Sequence, residues 1–358
     1  MPGEIMIVGA VRVEALESSY ARAFRSLDWQ VHVWDPQGVL DRVARGGRLG
    51  RLFSLFVQVE AWQRKANLDL LRLARAVQPD LILVIATKGV RAGTLAQLRV
   101  HLPGVQVYCV FPDSPHSLDG ERIACLPVFD RVTTSSPAWL EAFAGLGARQ
   151  VDYLPFAADT ELYQPPQTVV PNRDFAHDVA FIGTWRLERE QLLEQLADLD
   201  LRIWGSRYWR SRTRRGSPLK RLWGGGQVVG VEFAQVCAQS KVLLNILDLM
   251  SWPGPNMRTF ELPACRAFPL AERSPEVLEL FREGETIECF GTAEEALEKI
   301  RYYCSHETDR QHIAASAYEF VINGGHTYRD RAEQLLRWFA ADSARAHVVF
   351  PGRRSTST

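Results

Sequence analysis

Apolar positions along the first half of the chain fall into short runs separated by stretches with helical apolar spacing. Short apolar runs bounded by polar or turn residues predict buried strands. In this half the runs lie at 4–8, 31–34, 81–85, 105–111, 130–134 and 151–156. Helical spacing occupies 14–26, 55–77, 91–101 and 137–144. Strands alternating with helices predict a parallel, doubly wound sheet.

The same alternation restarts after 159–174, a polar, proline-rich stretch that we take as a domain junction. Strands are predicted at 177–182, 201–204, 228–231, 241–247, 267–270 and 286–290. Helices are predicted at 187–197, 232–239, 257–265, 293–304, 308–321 and 328–341. We therefore expect an α/β protein with Rossmann-like domains at 1–165 and 166–327, a last helix at 328–343 and a frayed tail at 344–358.

Ligands of doubly wound sheets sit beyond the carboxyl ends of the strands. In the first half this rule selects three loops, at Gly9, at 86–89 and at 111–116. The third loop holds Asp113 and His116, two titratable side chains suited to act as a base or to orient a substrate hydroxyl. The alternative is an ordinary turn, since Asp and Ser before Pro are common turn formers. A glycine- and arginine-containing loop is also predicted at 46–51.

The most informative stretch of the chain runs from 243 to 272. A loop at 251–255 leaves a predicted strand, and Asn256 then stands where a helix N-cap belongs. The free amides and dipole of a helix start favour a phosphate there, and Arg258 in the first turn adds a charged fork. Glu261 lies on the same side of the helix as Arg258, and its carboxylate suits the two hydroxyls of a ribose. The alternative is a simple Arg258–Glu261 pair on a solvated helix face.

A second strand-to-helix junction follows the strand at 177–182. Gly183 lets a ligand approach the backbone. Arg186 and Arg189 are three residues apart, which puts them on one helix face, and two arginines suit a diphosphate. The alternative is a pair of surface arginines matched by Glu188 and Glu190.

The segment 207–221 contains seven basic residues and no acidic one. Tyr208 and Trp209 lie among them, as in some nucleic-acid binders. It is a single run, so we favour a mobile basic loop over an anionic substrate or phosphate. A merely solvated loop is the remaining alternative.

Composition narrows the class of protein. Lysine plus arginine and aspartate plus glutamate are equal at 42 each, so no global field points to nucleic acid or to a membrane surface.

No apolar run is long enough to span a bilayer, and the amino terminus does not have the pattern of a signal peptide, so we expect a cytoplasmic protein. The six cysteines form no CxxC pair and are interpreted as buried thiols. The Asp-Leu-Asp at 198–200 precedes a strand instead of following one, so no metal is predicted.

Five segments together carry a resemblance to a known family: FIGTWRLERE (181–190), LRIWG (201–205), KVLLNI (241–246), PNMRTFELPACRAFPLAE (255–272) and GGHTYRDRAEQLL (324–336). In this order they resemble the CgeB-like (spore maturation protein) glycosyltransferases, relatives of the GT-B nucleotide-sugar glycosyltransferases. The resemblance covers most of the second domain and is thin over the first. It implies a GT-B fold, with the donor on the second domain, the acceptor on the first and the last helix crossing back to the first.

The resemblance also implies roles for single residues. Glu261 matches the carboxylate that holds the donor ribose, and Arg186 and Arg189 fall where the wider group binds the diphosphate. The other implied donor-binding positions are Gly183, Trp204, Gly205, Gly230, Asn245, Asn256, Arg258 and Thr259, with Gly9 on the acceptor side. The chain departs from the wider group's pattern in three ways: Pro253 stands where that group has a second carboxylate, Arg266 replaces a small residue, and Thr184 and Trp185 follow the glycine.

The implied reaction is transfer of a sugar, a hexose in our prediction, from a nucleotide-diphosphate sugar to an unknown acceptor. A UDP-sugar is the favoured donor, no cofactor or metal is expected, and retention is favoured. The acceptor is a small molecule, a glycan or a protein. Two alternatives stay open: a GT-B-type sugar-nucleotide epimerase, and a non-catalytic module that binds a nucleotide sugar or RNA. The fingerprint GxGxxG is absent at Gly9, so a dinucleotide-dependent oxidoreductase lacks its main support.

Overall fold

The structure is a computed structural model that describes residues 3–35, 59–86, 89–166 and 175–349, without the side chains of 59–61 and 346–349. The predicted loop at 46–51, the start of the helix predicted at 55–77, part of the loop at 86–89, the later part of the junction at 159–174 and the end of the tail lie outside these ranges.

The first domain is built on a parallel six-stranded sheet with the order β2-β1-β3-β4-β5-β6. Its strands β1 to β6 are Glu4–Val8, Gln30–Trp34, Leu81–Ile85, Gln106–Phe111, Arg131–Thr134 and Val151–Tyr153. Helices α1 to α5 are Leu16–Ser26, Val59–Val77, Ala92–His101, Gly120–Cys125 and Leu140–Gly145. Every residue of β3 and β4 is buried. Helices therefore cover both faces of the central strands, as continuous apolar runs predict.

The second domain repeats this architecture with a parallel six-stranded sheet of order β12-β11-β10-β7-β8-β9. Its strands β7 to β12 are His177–Ile182, Leu201–Trp204, Trp223–Gly225, Ser240–Asn245, Pro269–Glu272 and Glu288–Phe290. Helices α6 to α13 are Leu187–Gln195, Tyr208–Ser211, Leu219–Leu222, Val231–Gln239, Arg258–Ala264, Pro275–Leu280, Ala293–Ser305 and Glu307–Asn323. The strand predicted at 228–231 is wrong: the edge strand β9 lies earlier, and Val231 already begins α9.

The last helix, α14 (Tyr328–Val349), returns to the first domain. The ring of Tyr328 meets Tyr20 of α1 at 5.2 Å, and Phe339 meets Trp29 at 5.8 Å. The helix continues beyond the predicted end at 341, so the predicted tail is helical as far as Val349. The chain thus crosses between the domains twice, and the two crossings meet at a bridge between Ala158 and Thr327.

The carboxyl edges of the two sheets face each other. Three hydrogen bonds join segments that follow strands in different domains: Ser114 N to Met250 O at 3.1 Å, Ser136 Oγ to Glu276 Oε1 at 2.6 Å, and Gln227 Nε2 to Glu14 Oε1 at 3.5 Å. Glu276 lies in the first turn of α11, and the other five residues lie in loops. Because ligands of parallel sheets bind at carboxyl edges, both halves of the molecule contribute to one cleft.

Candidate functional site

A pocket of about 280 Å³ opens in this cleft, mainly against the second domain. Its wall comes from the ends of β7 and β10, here Gly183 and Asn245, and from the start of α10. Glu14 and Phe156 approach from the first domain, and Tyr163 from the first crossing. Of the predicted donor-binding residues, six line this pocket: Gly183, Arg189, Asn245, Asn256, Arg258 and Glu261.

Arg258 and Glu261 form an ion pair in the pocket wall. Glu261 is only 1% exposed, so the alternative of a solvated helix face is wrong although the pairing itself is correct. Burial raises the pKa of Glu261, and the nearby guanidinium of Arg258 opposes that rise. Arg258 also donates from Nε to Ile182 O at 3.3 Å and stacks on Phe233 at 4.6 Å. The pair is therefore held rigidly at the start of α10.

Tyr163 and Asp159 complete the surroundings of Glu261, and sequence reasoning missed both. Tyr163 is buried, and its pKa is raised by burial and by the negative charge of Glu261. Asp159 is also buried and accepts two hydrogen bonds from Arg22, at 2.8 and 2.5 Å. These residues come from the first crossing, a segment whose composition indicated only a domain junction.

Three polar side chains, two in the pocket wall and one behind it, fix the start of α10. Asn245 Nδ2 donates to Thr259 Oγ1 at 3.0 Å, and Asn256 Nδ2 donates to Asn245 Oδ1 at 2.9 Å. Asn256 Oδ1 accepts the backbone N–H of Thr259 at 3.2 Å, which is the capping contact predicted for it. The helix begins at Arg258, one residue later than predicted. Thr259 is fully buried and does not line the pocket, so its contact here is structural.

Arg189 was predicted to bind a diphosphate. Its guanidinium is buried, and its N–H groups donate to backbone carbonyls of the protein. It donates twice to Ile246 O, at 3.1 and 2.8 Å, and once to Thr184 O at 3.1 Å. Arg186 is exposed and does not line the pocket. Both arginines approach Asp248 Oδ2, at 3.4 Å from Arg189 and 3.8 Å from Arg186, so Asp248 replaces Glu188 and Glu190 as their partner. Asp248 was not identified from the sequence.

Gly205 packs directly on the backbone of Gly183. A Cβ atom at position 205 would lie 2.0 Å from Gly183 O. The indole N–H of Trp209 donates to the same carbonyl at 2.8 Å. Gly205 therefore supports the pocket wall from behind.

We expect Gly205→Ala to displace this wall. Overpacking costs about 1–3 kcal/mol, and the shift of Gly183 should weaken binding of any ligand in the pocket. Gly226→Ala is the matched control, because a Cβ there meets nothing within 4 Å. Melting temperature and ligand affinity of both variants check the expectation, and equal behaviour of the two would contradict it.

Three further predicted contacts are not found at the pocket. The indole of Trp204 lies over Gly224 and Gly225, where added Cβ atoms would approach it to 3.2 and 3.4 Å. Gly230 is the N-cap residue before α9 and lies against Leu162. A Cβ at Gly9 would come within 2.2 Å of Glu17 Oε1, which accepts the N–H of Ala10 at 2.8 Å. The chain's own Glu17 thus fills the space where Gly9 was predicted to meet an acceptor.

Asp113 and His116, the predicted catalytic pair, face different surroundings. Asp113 is half-buried, and its pKa is raised by burial and by Asp248 of the second domain, while Arg122 and Arg186 oppose the rise. The neighbouring N–H of Ser114 donates to Met250 O across the cleft. His116 is exposed, and its backbone N–H donates to Ser114 Oγ at 3.4 Å. Asp113 is therefore the better placed of the two.

The described residues contain neither a cluster of metal-ligating side chains nor a helix that could span a membrane. Between 3 and 349, outside the gaps given above, no three His, Cys, Asp or Glu side chains gather as a metal site requires. In the same ranges, every helix is too short or too polar to cross a bilayer. Asp200 pairs with His177 at the amino end of β7, so the Asp-Leu-Asp stretch lies at the edge away from the pocket.

The fold is that of the GT-B glycosyltransferases, with two parallel α/β domains facing one cleft. Residues 187–337, which include α10 with Arg258 and Glu261, match the family model described as "Glycosyl transferase-like". No curated protein sequence matches the chain.

Solved structures with the same fold are remote in sequence. Anabaena HepE in complex with UDP and glucose superposes with a TM-score of 0.63 at 15% identity, over 95% of this chain and 100% of that one. Sucrose-phosphate synthase from Thermosynechococcus elongatus gives 0.65 at 14%, over 96% and 100%. A putative UDP-N-acetylglucosamine 2-epimerase from Listeria monocytogenes gives 0.61 at 12%, over 96% and 98%.

Proposed function

We propose that this chain transfers a sugar from a nucleoside diphosphate sugar, with a UDP-hexose favoured, to an acceptor held on the first domain. The observation that carries the proposal is the buried Arg258–Glu261 pair in the pocket wall. A buried carboxylate presents acceptor oxygens to a ribose diol, and the guanidinium beside it presents donors to phosphate. The glycosyl transferase-like region contains both residues, and HepE was solved with UDP and glucose. The CgeB-like subfamily assignment rests on the sequence segments and stays part of this proposal.

We propose that Arg258 and the exposed Arg186 stabilise the charge that builds on the leaving diphosphate, without a divalent metal. Arg189 acts differently in this scheme: its donors hold Thr184 and Ile246 in place, so it shapes the pocket wall. Fixed charges aimed at a developing anion need no reorganisation during the reaction. The domains exclude water from the donor, which limits hydrolysis.

The direct test is a thermal-shift series with UDP, GDP, CDP and dTDP, alone and as sugar conjugates, with and without EDTA. A ligand that binds only the folded state raises the melting temperature by mass action. We expect a shift with UDP and UDP-sugars that EDTA does not change. If no nucleotide changes the melting temperature, the donor pocket is contradicted. If the UDP-sugar is converted into its epimer without an acceptor, the protein is an epimerase instead.

We propose retention of configuration: the leaving phosphate takes the proton of the attacking hydroxyl, while Asp113 positions the acceptor by accepting a hydrogen bond from a neighbouring hydroxyl of that molecule. Asp113→Asn should then lower kcat about tenfold, less than the 10²–10⁴-fold typical of a lost general base. The affinity for UDP should not change, because Asp113 does not line the donor pocket. His116→Ala should retain activity, since that side chain faces solvent.

Two measurements decide between this proposal and an inverting enzyme. NMR of the product gives the anomeric configuration. The pH dependence of kcat/KM is the second measurement. In an inverting enzyme the ionised form of Asp113 would remove the proton of the acceptor hydroxyl. Because the pKa of Asp113 is raised, the acid limb of that profile would then lie at higher pH than for an ordinary aspartate. Retention would be contradicted by a product of inverted configuration, together with loss of the acid limb of the kcat/KM profile in Asp113→Asn.

A further inference from the structure

The basic segment 207–221 is an ordered part of the second domain, not the mobile loop predicted from its composition. It contains α7 and α8, and its inward side chains are anchored: Trp209 and Leu219 are fully buried, and Thr213 Oγ1 donates to Trp209 O at 2.6 Å. Its arginines point outward and are exposed at positions 207, 210, 212, 214, 215 and 221. The fold therefore holds these charges on one surface.

Most of these charges have no partner within the described part of the chain. Arg214 pairs with Glu194 at 3.2 Å, whereas the other six basic side chains of the segment make no ion pair there. Arg212 stacks on Tyr208 at 4.2 Å and on Trp185 at 5.7 Å, and Arg210 stacks on Trp223 at 5.5 Å. A guanidinium stacked through its face keeps its N–H edge available for a phosphate.

Exposed apolar side chains adjoin this basic surface. Leu187 is 57% exposed, Tyr208 47% and Leu249 80%. The contact of Arg212 with Trp185 brings the basic segment to the start of α6, next to Leu187. The approach of Arg186 Nε to Asp248 Oδ2, at 3.8 Å, brings Leu249 to the same place. We call this surface the arginine face: Arg207, Arg210, Arg212, Arg214 and Arg215 with Leu187, Tyr208 and Leu249.

The combination of basic, leucine and tyrosine side chains on the arginine face favours one kind of anionic partner over the others. The partners to compare are a nucleic acid, a free phosphate ion and an anionic bilayer. Nucleic-acid binders stack bases on free aromatic rings, but the ring of Tyr208 is already stacked on Arg212. Exposed leucines contribute nothing to binding a free phosphate ion. Basic residues combined with exposed leucine and tyrosine suit the headgroup region of an anionic bilayer, where charges meet phosphates and apolar side chains enter the acyl boundary.

We infer that the arginine face docks the protein on the surface of an anionic lipid membrane. Trp209, which anchors the segment, also bonds Gly183 O in the pocket wall, so docking brings the cleft close to the lipid headgroups. This consequence rests on the proposed function and deepens it: the acceptor is then a membrane-borne molecule presented at that surface.

The experiment is co-sedimentation of the full chain with vesicles of phosphatidylcholine alone or of phosphatidylcholine and phosphatidylglycerol in equal parts. We expect binding only to the anionic vesicles. The triple variant Arg210→Glu/Arg212→Glu/Arg215→Glu should bind at least tenfold more weakly, and Leu187→Ser/Leu249→Ser several-fold more weakly. Arg282→Glu/Arg301→Glu, a charge reversal at exposed arginines elsewhere on this domain, is the control and should bind like the wild type.

The other outcomes overturn the inference. They are absence of binding to anionic vesicles, equal binding by the triple and control variants, tighter binding of single-stranded RNA than of vesicles, and release of the protein by inorganic phosphate at equal ionic strength. The UDP thermal shift of each variant is measured alongside. If the shift persists while vesicle binding fails, only the docking inference is wrong; if vesicle binding persists without any UDP shift, the proposed function is wrong.

Discussion

Glu261→Gln is expected to weaken UDP binding by about 2 kcal/mol, roughly thirtyfold in Kd. The amide keeps the size of the side chain but loses the charge. A carboxylate accepts hydrogen bonds from both ribose hydroxyls and offsets the charge of Arg258, whereas an amide presents one acceptor oxygen and adds N–H donors. Calorimetric titration with UDP measures the change directly.

A stability loss must be separated from this binding loss, because Glu261→Gln leaves the partly buried Arg258 without its countercharge. Removing one partner of a buried pair costs about 3–5 kcal/mol. Glu288→Gln is the matched control: Glu288 is also buried and pairs with Lys299 at 2.6 Å, but it lies on the edge strand β12. We expect both variants to melt earlier and only Glu261→Gln to lose UDP affinity. Wild-type affinity in Glu261→Gln would refute the ribose assignment.

The Arg258–Glu261 pair was predictable because it is local. Two side chains three residues apart on a helix meet whatever the rest of the fold does. The capping role of Asn256 is local for the same reason, since its side chain needs only the N–H of Thr259. What the sequence did not show is the burial of the pair, because Phe233 and Tyr163, which surround it, come from distant parts of the chain.

Two predictions at the site depend on distant contacts that the sequence does not show. Arg189 was expected to face a ligand, but its donors are taken by the carbonyl of Ile246, at the end of another strand. Gly9 was expected to leave space for an acceptor, but Glu17 folds back over it. Neither contact has a signature in spacing or composition. Spacing and composition therefore place these residues at the ligand-binding edge of the sheet but do not show which contacts they make within the fold.

The strands were predictable where both faces are covered, as in β3, β4 and β10, because the apolar run is then continuous. The edge strand β9 was missed because Trp223–Gly225 contains two glycines, which lower strand propensity. Its pairing depends instead on the neighbouring strand, where Ile203 and Trp204 meet it across an irregular register. Tertiary pairing, not local preference, creates that strand.

Arg131→Met is expected to destabilise the protein by about 3 kcal/mol, or lower its melting temperature by roughly 4 °C, without changing UDP affinity. Arg131 is 2% exposed in β5 and joins the returning helix α14 to the first sheet. Its Nη2 donates to Asp342 Oδ2 at 2.9 Å, it pairs with Asp152, and its guanidinium stacks on Trp338 at 4.8 Å. Burial opposes the charge, yet the pKa of Arg131 is raised because Asp342 and Tyr108 hydrogen-bond to it.

Methionine matches the length of the arginine stem but leaves Asp342 and Asp152 without their cation. Both carboxylates keep some contact with solvent, so the cost should lie at the lower end of the range for a broken buried pair. Arg337→Met is the matched control on the same helix. That side chain is exposed and donates to Gln334, so the effect of the substitution should stay within about 0.5 kcal/mol. Arg131 lies at the start of its strand, the edge of the sheet away from the cleft. If Arg131→Met lost UDP affinity, the claim that Arg131 acts separately from the donor pocket would be contradicted. If its melting temperature did not change, the claim that Arg131 anchors α14 to the first sheet would be contradicted.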